Sequence, residues 1–231
     1  IPGSPFMGTI GLTPGHDLLA ATTRREQALL DRGGFVLPPS TASSVPDDPR
    51  IAAEALRTIP PREQAGNVDI KQLGRGARLF IAVDTPGGLF SAGDAHFAQG
   101  DSETCGTAIE MRATLRVRFA LHKGEAAEKG IRDLRFTRED YYLPAEYAAP
   151  RRFFATTGIS VTKDGENHAE DATLAARNAL LNMIDHLVER GWTRQQSYVI
   201  CSVAVDLKIS QLVDVPNMLV SAFLPEAIFV G

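Results

Sequence analysis

Residues 109–122, Ile-Glu-Met-Arg-Ala-Thr-Leu-Arg-Val-Arg-Phe-Ala-Leu-His, carry the clearest periodicity in the chain. Ile109, Met111, Ala113, Leu115, Val117, Phe119 and Leu121 fall on one side; Glu110, Arg112, Thr114, Arg116, Arg118 and His122 fall on the other. A period of two sends successive side chains to opposite faces, so the stretch predicts a long strand with one apolar face. That is the pattern of an antiparallel sheet packed on one side. Arg112, Arg116 and Arg118 then form a cationic strip, solvated or paired with an adjacent strand.

Working outward, the same alternation appears twice more. Ala77 to Val83 reads as a half-buried strand, and Val199, Cys201, Val203, Val205, Leu207 and Ile209 repeat the pattern near the C-terminus. Between them Leu180, Ile184, Leu187 and Val188 stand at helical spacing, with Glu170 and Asp171 at the positive end and Gly191 as a stop. They predict an amphipathic helix over about 171–190. Residues 1–68 are crowded with prolines and read as loops and short elements, with one short helix over Thr22–Asp31 ended by Gly33 and Gly34 and an exposed loop over 40–50. The expected fold is α+β, a single domain over 1–231 with a mainly antiparallel sheet and a late helix; 1–68 is its loop-rich segment and 69–231 its sheet-rich core.

Composition excludes several classes. With 24 basic and 28 acidic residues the net charge is -4, which offers no basic surface for nucleic acid. No apolar run reaches the roughly 18 residues that a membrane helix needs. Two cysteines, Cys105 and Cys201, are too few for a disulfide framework and fit a reducing compartment, so the cytoplasm is the expected location.

The chemistry concentrates in Gly93–Met111, GDAHFAQGDSETCGTAIEM, which packs Asp94, His96, Asp101, Glu103, Cys105 and Glu110 into one short span. On an extended backbone the spacing of Asp94 and His96 puts both side chains on one face, ready to converge on a cation or a substrate. Three readings stay open on these residues alone: a divalent-metal site, a thiol site at Cys105, and an acidic turn. The metal reading suits Asp and His as hard to borderline ligands, with Glu103 as a further ligand or as the base for a bound water. Carboxylates around Cys105 disfavour a thiolate. No G-x-S-x-G elbow is present, since Gly158-Ile159-Ser160-Val161-Thr162 ends wrongly, and Ser43-Ser44 lack a nearby lysine. Plainer roles stand beside these: His96 as a hydrogen-bonded structural histidine, Glu110 as a solvent-facing strand residue, Asp69 bonding its own turn, and His186 packing on the helix beside Met183.

Several ordered segments carry a family likeness. Pro5-Phe6-Met7-Gly8-Thr9-Ile10-Gly11, Thr58-Ile59-Pro60-Pro61-Arg62-Glu63, Gly66-Asn67-Val68-Asp69-Ile70, Gly93-Asp94-Ala95-His96 through Gly106-Thr107-Ala108-Ile109-Glu110, and Ser202 to Leu207 with Val213 to Asn217 together resemble the acetamidase/formamidase family, closest to its longer formamidase-like branch. The resemblance implies hydrolysis of the carbon-nitrogen bond of a small linear amide at a divalent metal, zinc being the expected one, with release of ammonia and a carboxylate. It implies metal-site roles for Asp94, His96 and Glu103, with Glu103 as ligand or general base. Asp101 and Glu110 join Glu103 as acid–base candidates, and Asn67 and Asp69 support the site. Family members often read G-D-G-E where this chain has Gly100-Asp101-Ser102-Glu103. Ile1-Pro2-Gly3-Ser4 resembles an internal stretch of the family, so the expectation is a C-terminal part of a processed or split enzyme. In that expectation a second chain supplies the N-terminal half and the assembly is a homo- or hetero-oligomer. A γ-lactamase acting on a cyclic amide is the alternative within the family; outside it, a noncatalytic metal-binding or assembly subunit.

Overall fold

The computed structural model describes residues 1–36, 45–139 and 152–230. Its largest apolar core lies in the C-terminal third, where helix α4 (Ala172–Glu189) covers an antiparallel sheet of β7 (Phe153–Ile159), β9 (Leu219–Pro225) and β8 (Asp206–Gln211), in the order β7-β9-β8. The helix starts where Asp171 accepts a hydrogen bond from the Leu174 amide at 2.8 Å, and it stops at Arg190 before Gly191 at φ 96°. Ala175, Ala179, Met183, Ile184 and Leu187 give it a continuous buried stripe against Val220, Ala222 and Leu224. Each of the larger side chains contributes roughly 1.5–3 kcal/mol by leaving water. Gly158 permits the close approach: a Cβ there would lie 2.3 Å from the Ala175 carbonyl oxygen. Asn178 and Asn182 donate to the Ile159 and Thr157 carbonyls of β7 and to that of Val161 just beyond it.

Helix α5 (Arg194–Ala204) stands where a strand over Val199–Ile209 is expected; only the end of that stretch is extended, as β8. The reason is local. Thr193 and Gln196 form a reciprocal capping box, and the buried Ser197, Cys201 and Ala204 recur at helical spacing. The apolar run through Val205 satisfies both periods, and the cap decides between them.

The second layer is the antiparallel sheet β2-β1-β4-β5, made of β1 (Phe6–Gly11), β2 (Ala65–Asn67), β4 (Ser91–Ala98) and β5 (Ile109–Glu110). Thus the proline-rich 1–68 contributes two strands of this sheet, along with α1 (His16–Asp31), longer than the Thr22–Asp31 helix expected, and the short α2 (Pro49–Glu54). Residues 45–48 of the expected loop are irregular, and its residues 40–44 lie outside the described residues. The strand expected over Ala77–Val83 is shorter, β3 (Arg78–Phe80), paired with β6 (Arg135–Thr137); a single turn α3 (Glu125–Glu128) precedes β6. The long strand over 109–121 is laddered only at Ile109 and Glu110. Beyond the Met111 amide, which donates to the Ala95 carbonyl, no backbone hydrogen bond among the described residues reaches 112–121. The alternation is that of a strand, and among the described residues no neighbouring strand pairs with it. The architecture is α+β with mainly antiparallel sheets. Among the described residues no helix is long and apolar enough to cross a membrane.

Candidate metal centre

Strand β4 runs between β1 and β5, so its side chains meet groups from both neighbours. The register sets Glu110 directly opposite His96, and the ladder from Met7↔Ala95 to Thr9↔Gly93 brings Asp94 opposite Gly8. His96 is fully buried under the edge of the Phe6 ring, with centroids 5.0 Å apart. Its Nε2 lies 3.1 Å from Asp94 Oδ1 and 3.4 Å from Glu110 Oε1.

The other face of the ring fixes the tautomer. Gln99 Nε2 donates to the Asp69 carbonyl at 2.8 Å, which turns Gln99 Oε1 toward His96 Nδ1 at 2.9 Å. An amide oxygen only accepts, so Nδ1 carries the proton and Nε2 keeps its lone pair. That lone pair is buried, faces two carboxylates and has no donor. An unsatisfied buried acceptor is costly, and a cation at this point would satisfy it and the two acids together. Gly8 leaves the room, since a Cβ there would lie 2.7 Å from Asp94 Oδ2 and 2.6 Å from Asp69 Oδ1. Asp94, His96 and Glu110 offer ligand atoms that all lie within 4.8 Å of one another, so the residues present fit a divalent ion. Burial lowers the His96 pKa, but the Gln99 hydrogen bond and the Asp94 and Glu110 charges outweigh it and leave the pKa raised.

Beside this triad sits a carboxyl pair, Asp69 and Glu103, which with His96 forms a second group of converging ligand atoms. Burial, then the charge of Asp69, pushes Glu103 up to about 7, while Asp69 is raised first by burial and held down in part by His96. Asp69 Oδ1 has no ordinary donor, so the pair is satisfied when Glu103 carries a shared proton. The backbone here is strained: Asp69 (φ 46°), Asp94 (φ 58°), Ser102 (φ 103°) and Glu103 (φ 46°) all occupy left-handed conformations. The surrounding packing holds them there. The 99–108 loop is clasped to α5 and β8 by Gly100 N to Ser202 O (3.0 Å), Cys105 N to Ser202 Oγ (3.1 Å), Ser202 Oγ to Thr107 O (2.6 Å) and Leu207 N to Asp101 O (3.2 Å).

The structure therefore brings Asp94, His96 and Glu110 together on one side and Asp69 and Glu103 on the other. Asp101 stands apart from both groups: its carboxylate takes Gln72 Nε2 at 2.9 Å and Lys71 Nζ at 3.5 Å, and Lys71 also binds the buried Asp206. Asp206 Oδ1 in turn accepts the Asp101 amide at 3.0 Å, which pins the loop rather than the ligands. Asn67 accepts from the Thr9 hydroxyl at 2.7 Å and donates to Ile59, holding β2 on β1. Cys105 is half-buried in the loop, and burial pushes the Cys201 thiol up to about 12. His186 stacks on Phe154 at 3.7 Å, outside the site. Sequence reasoning missed Gln99 and the space-making role of Gly8. The only available signal was Gln99 at three residues from His96, which is uninformative on a strand.

A family model described as the Acetamidase/Formamidase family matches residues 1–230. The chain belongs to that family. It is 36% identical over 237 residues to a formamidase of Methylophilus methylotrophus, covering 96% of this chain and 56% of that protein. It is 36% identical over 213 residues to an acetamidase of Mycolicibacterium smegmatis, covering 86% and 51%. A solved gamma lactamase from Delftia acidovorans superposes with a TM-score of 0.84 at 34% identity, covering all of this chain and 59% of the other. This acetamidase/formamidase chain thus spans just over half the length of the relatives it matches.

Proposed function

We propose that this chain carries the metal-binding and proton-transferring residues of an amidohydrolase that cleaves the carbon-nitrogen bond of a small linear amide. The observation behind this reading is the convergence of Asp94, the lone pair of His96 Nε2 and Glu110 beside a carboxyl pair tuned toward neutrality. The names of the relatives, formamidase and acetamidase, favour the same chemistry. Asp94, His96 and Glu110 would hold the ion, zinc on the strength of mixed nitrogen and oxygen donors, and when bound it would supply Lewis acidity and an acidified water.

The chain's own groups then have distinct tasks. Gln99 keeps the His96 lone pair turned to the site. Glu103, near neutrality, accepts in its ionised form a proton from the attacking water and returns it to the departing nitrogen, so ammonia and a carboxylic acid leave and the acid then ionises to the carboxylate. Asp69 holds the proton on Glu103 between the two transfers. A cyclic amide is the second reading, favoured by the superposed gamma lactamase. In both, a further polypeptide completes the site, and the two free cysteines suit the cytoplasm.

Ammonia release from formamide and acetamide, and ring opening of a bicyclic γ-lactam, separate the two readings when measured on the assembled enzyme with its metal content. Glu103→Gln should keep the metal and lose about 10²–10⁴ in turnover. Unchanged turnover rejects the role given to Glu103, and a purified assembly free of metal at full activity rejects the whole reading.

A further inference from the structure

Residues 112–121 present an apolar side to water that a folded strand normally buries. Leu115, Val117, Phe119 and Leu121 are 41%, 43%, 68% and 75% exposed, and Phe119 extends the strip by meeting Phe90 edge-on at 5.0 Å. The alternate positions include Arg112, Arg116 and Arg118, none of which makes an ion pair among the described residues. The segment holds no acid at all, in a chain of net charge -4. Its backbone continues directly from β5, and among the described residues its amides and carbonyls are unpaired. A strand edge of this kind is a template for another strand.

We propose that 112–121 is a β-pairing surface whose occupant is a strand, apolar on one face and acidic on the other, from the polypeptide that the relatives carry outside the matched portion. Two observations select this occupant. First, the chain superposes on the gamma lactamase along its whole length yet accounts for 59% of that chain, so that fold contains a large body of polypeptide outside the matched portion. Second, charge argues against a second copy. Antiparallel self-pairing centred on Leu115 sets Arg112 against Arg118; centred on Arg116 it sets that residue against itself; centred on Val117 it sets Arg116 against Arg118. Like charges directly opposite destabilise a pair, and registers shifted by one residue turn arginines onto the apolar face. An acidic outer face removes the repulsion and leaves the apolar faces to close together.

The site gains from the same contact. Glu110 lies at the root of the segment and is exposed. A strand laid along 112–121 would extend the β4-β5 ladder and hold Glu110 at its post opposite His96. The surface does not depend on the amide-hydrolysis reading, and its test reads pairing rather than turnover.

The remainder of the Methylophilus methylotrophus formamidase, produced as a separate polypeptide, is mixed with the full chain and hydrogen exchange is followed peptide by peptide. Amides of 112–121 should slow at least about tenfold, with α4 unchanged as an internal control. Phe119→Ser with Leu121→Ser should abolish the slowing, and the surface reversal Arg116→Glu with Arg118→Glu should weaken it without touching the apolar strip. No slowing in the mixture overturns the proposal. So does slowing that appears in the chain alone as its concentration rises, which would make a second copy the occupant, or slowing that survives both double variants.

Discussion

Along β7, Asn178 and Asn182 donate to two strand carbonyls, Ile159 and Thr157, and to Val161 just beyond it, so the C-terminal layer carries its own edge protection. The site sheet is built the opposite way: β5 ends after two laddered residues, and residues 112–121 run on with no backbone hydrogen bond among the described residues. Backbone strain divides along the same line. Of the described non-glycine residues with positive φ, Ala65, Asp69, Leu89, Asp94, Ser102 and Glu103 lie in or near the site half, and Glu170 adjoins the C-terminal layer. One layer is a scaffold built around the largest apolar core. The other keeps strain, an orphaned lone pair and crowded carboxylates, the features expected where a cation and a proton are handled.

Substitutions in the two layers should separate stability from ligation. Met183→Ala empties a fully buried position under α4 and should lower unfolding free energy by about 2–5 kcal/mol in urea titrations, with metal stoichiometry of the folded fraction unchanged. Gly8→Ala should do the reverse: its Cβ meets the movable ends of Asp69, Asp94 and His96, so the fold survives while affinity for zinc, measured by chelator competition, falls roughly 100-fold. Should Gly8→Ala bind zinc normally, the cradle is placed wrongly. Gln99→Leu removes the acceptor that holds the His96 proton on Nδ1, and a loss of about 10–100-fold in zinc affinity is expected, with a tautomer shift visible in imidazole nitrogen NMR of the metal-free protein. Ser102→Gly relieves a φ of 103° and should stabilise by about 1 kcal/mol in the same urea assay.

The smallest effects are in pH. The folded Glu103 pKa of about 7 lies above its ordinary 4.5, so between these values the native metal-free protein holds more protons than the unfolded chain. Its stabilising share is complete below 4.5 and is lost as pH rises toward 7, and Glu103→Gln should flatten that slope. Glu63 runs the other way: its hydrogen bond to Arg25 lowers it from 4.5 to about 2, so its share is present above 4.5 and lost as pH falls toward 2. Both groups are partly solvated, and screening keeps each contribution small.

What could be read in advance follows from how local each signal is. Helix α4 was legible because its stripe, its Asp171 cap and its Gly191 stop all lie in one window. Helix α5 was not, because its apolar residues fit two periods and the deciding Thr193–Gln196 cap precedes them. The alternation of 109–121 implied a packed apolar face and a ladder, yet 112–121 is exposed throughout and unladdered among the described residues, since burial and hydrogen bonds need a second strand that this pattern does not encode. At the site, the spacing of Asp94 and His96 puts them on one face and the structure keeps them together, whereas Glu110, read as an acid–base candidate or a solvent-facing strand residue, stands with them, and Glu103, read as a metal residue, stands with Asp69. Asp101 was drawn into the acid–base set by proximity in sequence, while Lys71, Gln72 and Asp206 hold it elsewhere. Gly8 acts through what faces it across β1 and β4, and Gln99 acts through a carbonyl 30 residues away; neither can be seen along the chain.

The clasp between Gly100 and Ser202 also orders events in time. Strand β8 reaches β9 through a short connection, whereas β1 must find β4 across most of the first hundred residues, with Phe6 meeting His96. Closing the longer loop costs more chain entropy, and the ligand loop has nothing to dock against until α5 and β8 are in place. The site is then the last part to assemble: in pulse-labelled refolding the amides of α4 and β9 should gain protection before those of β4. A cation added early would meet scattered ligands, and one added late would meet a finished cup.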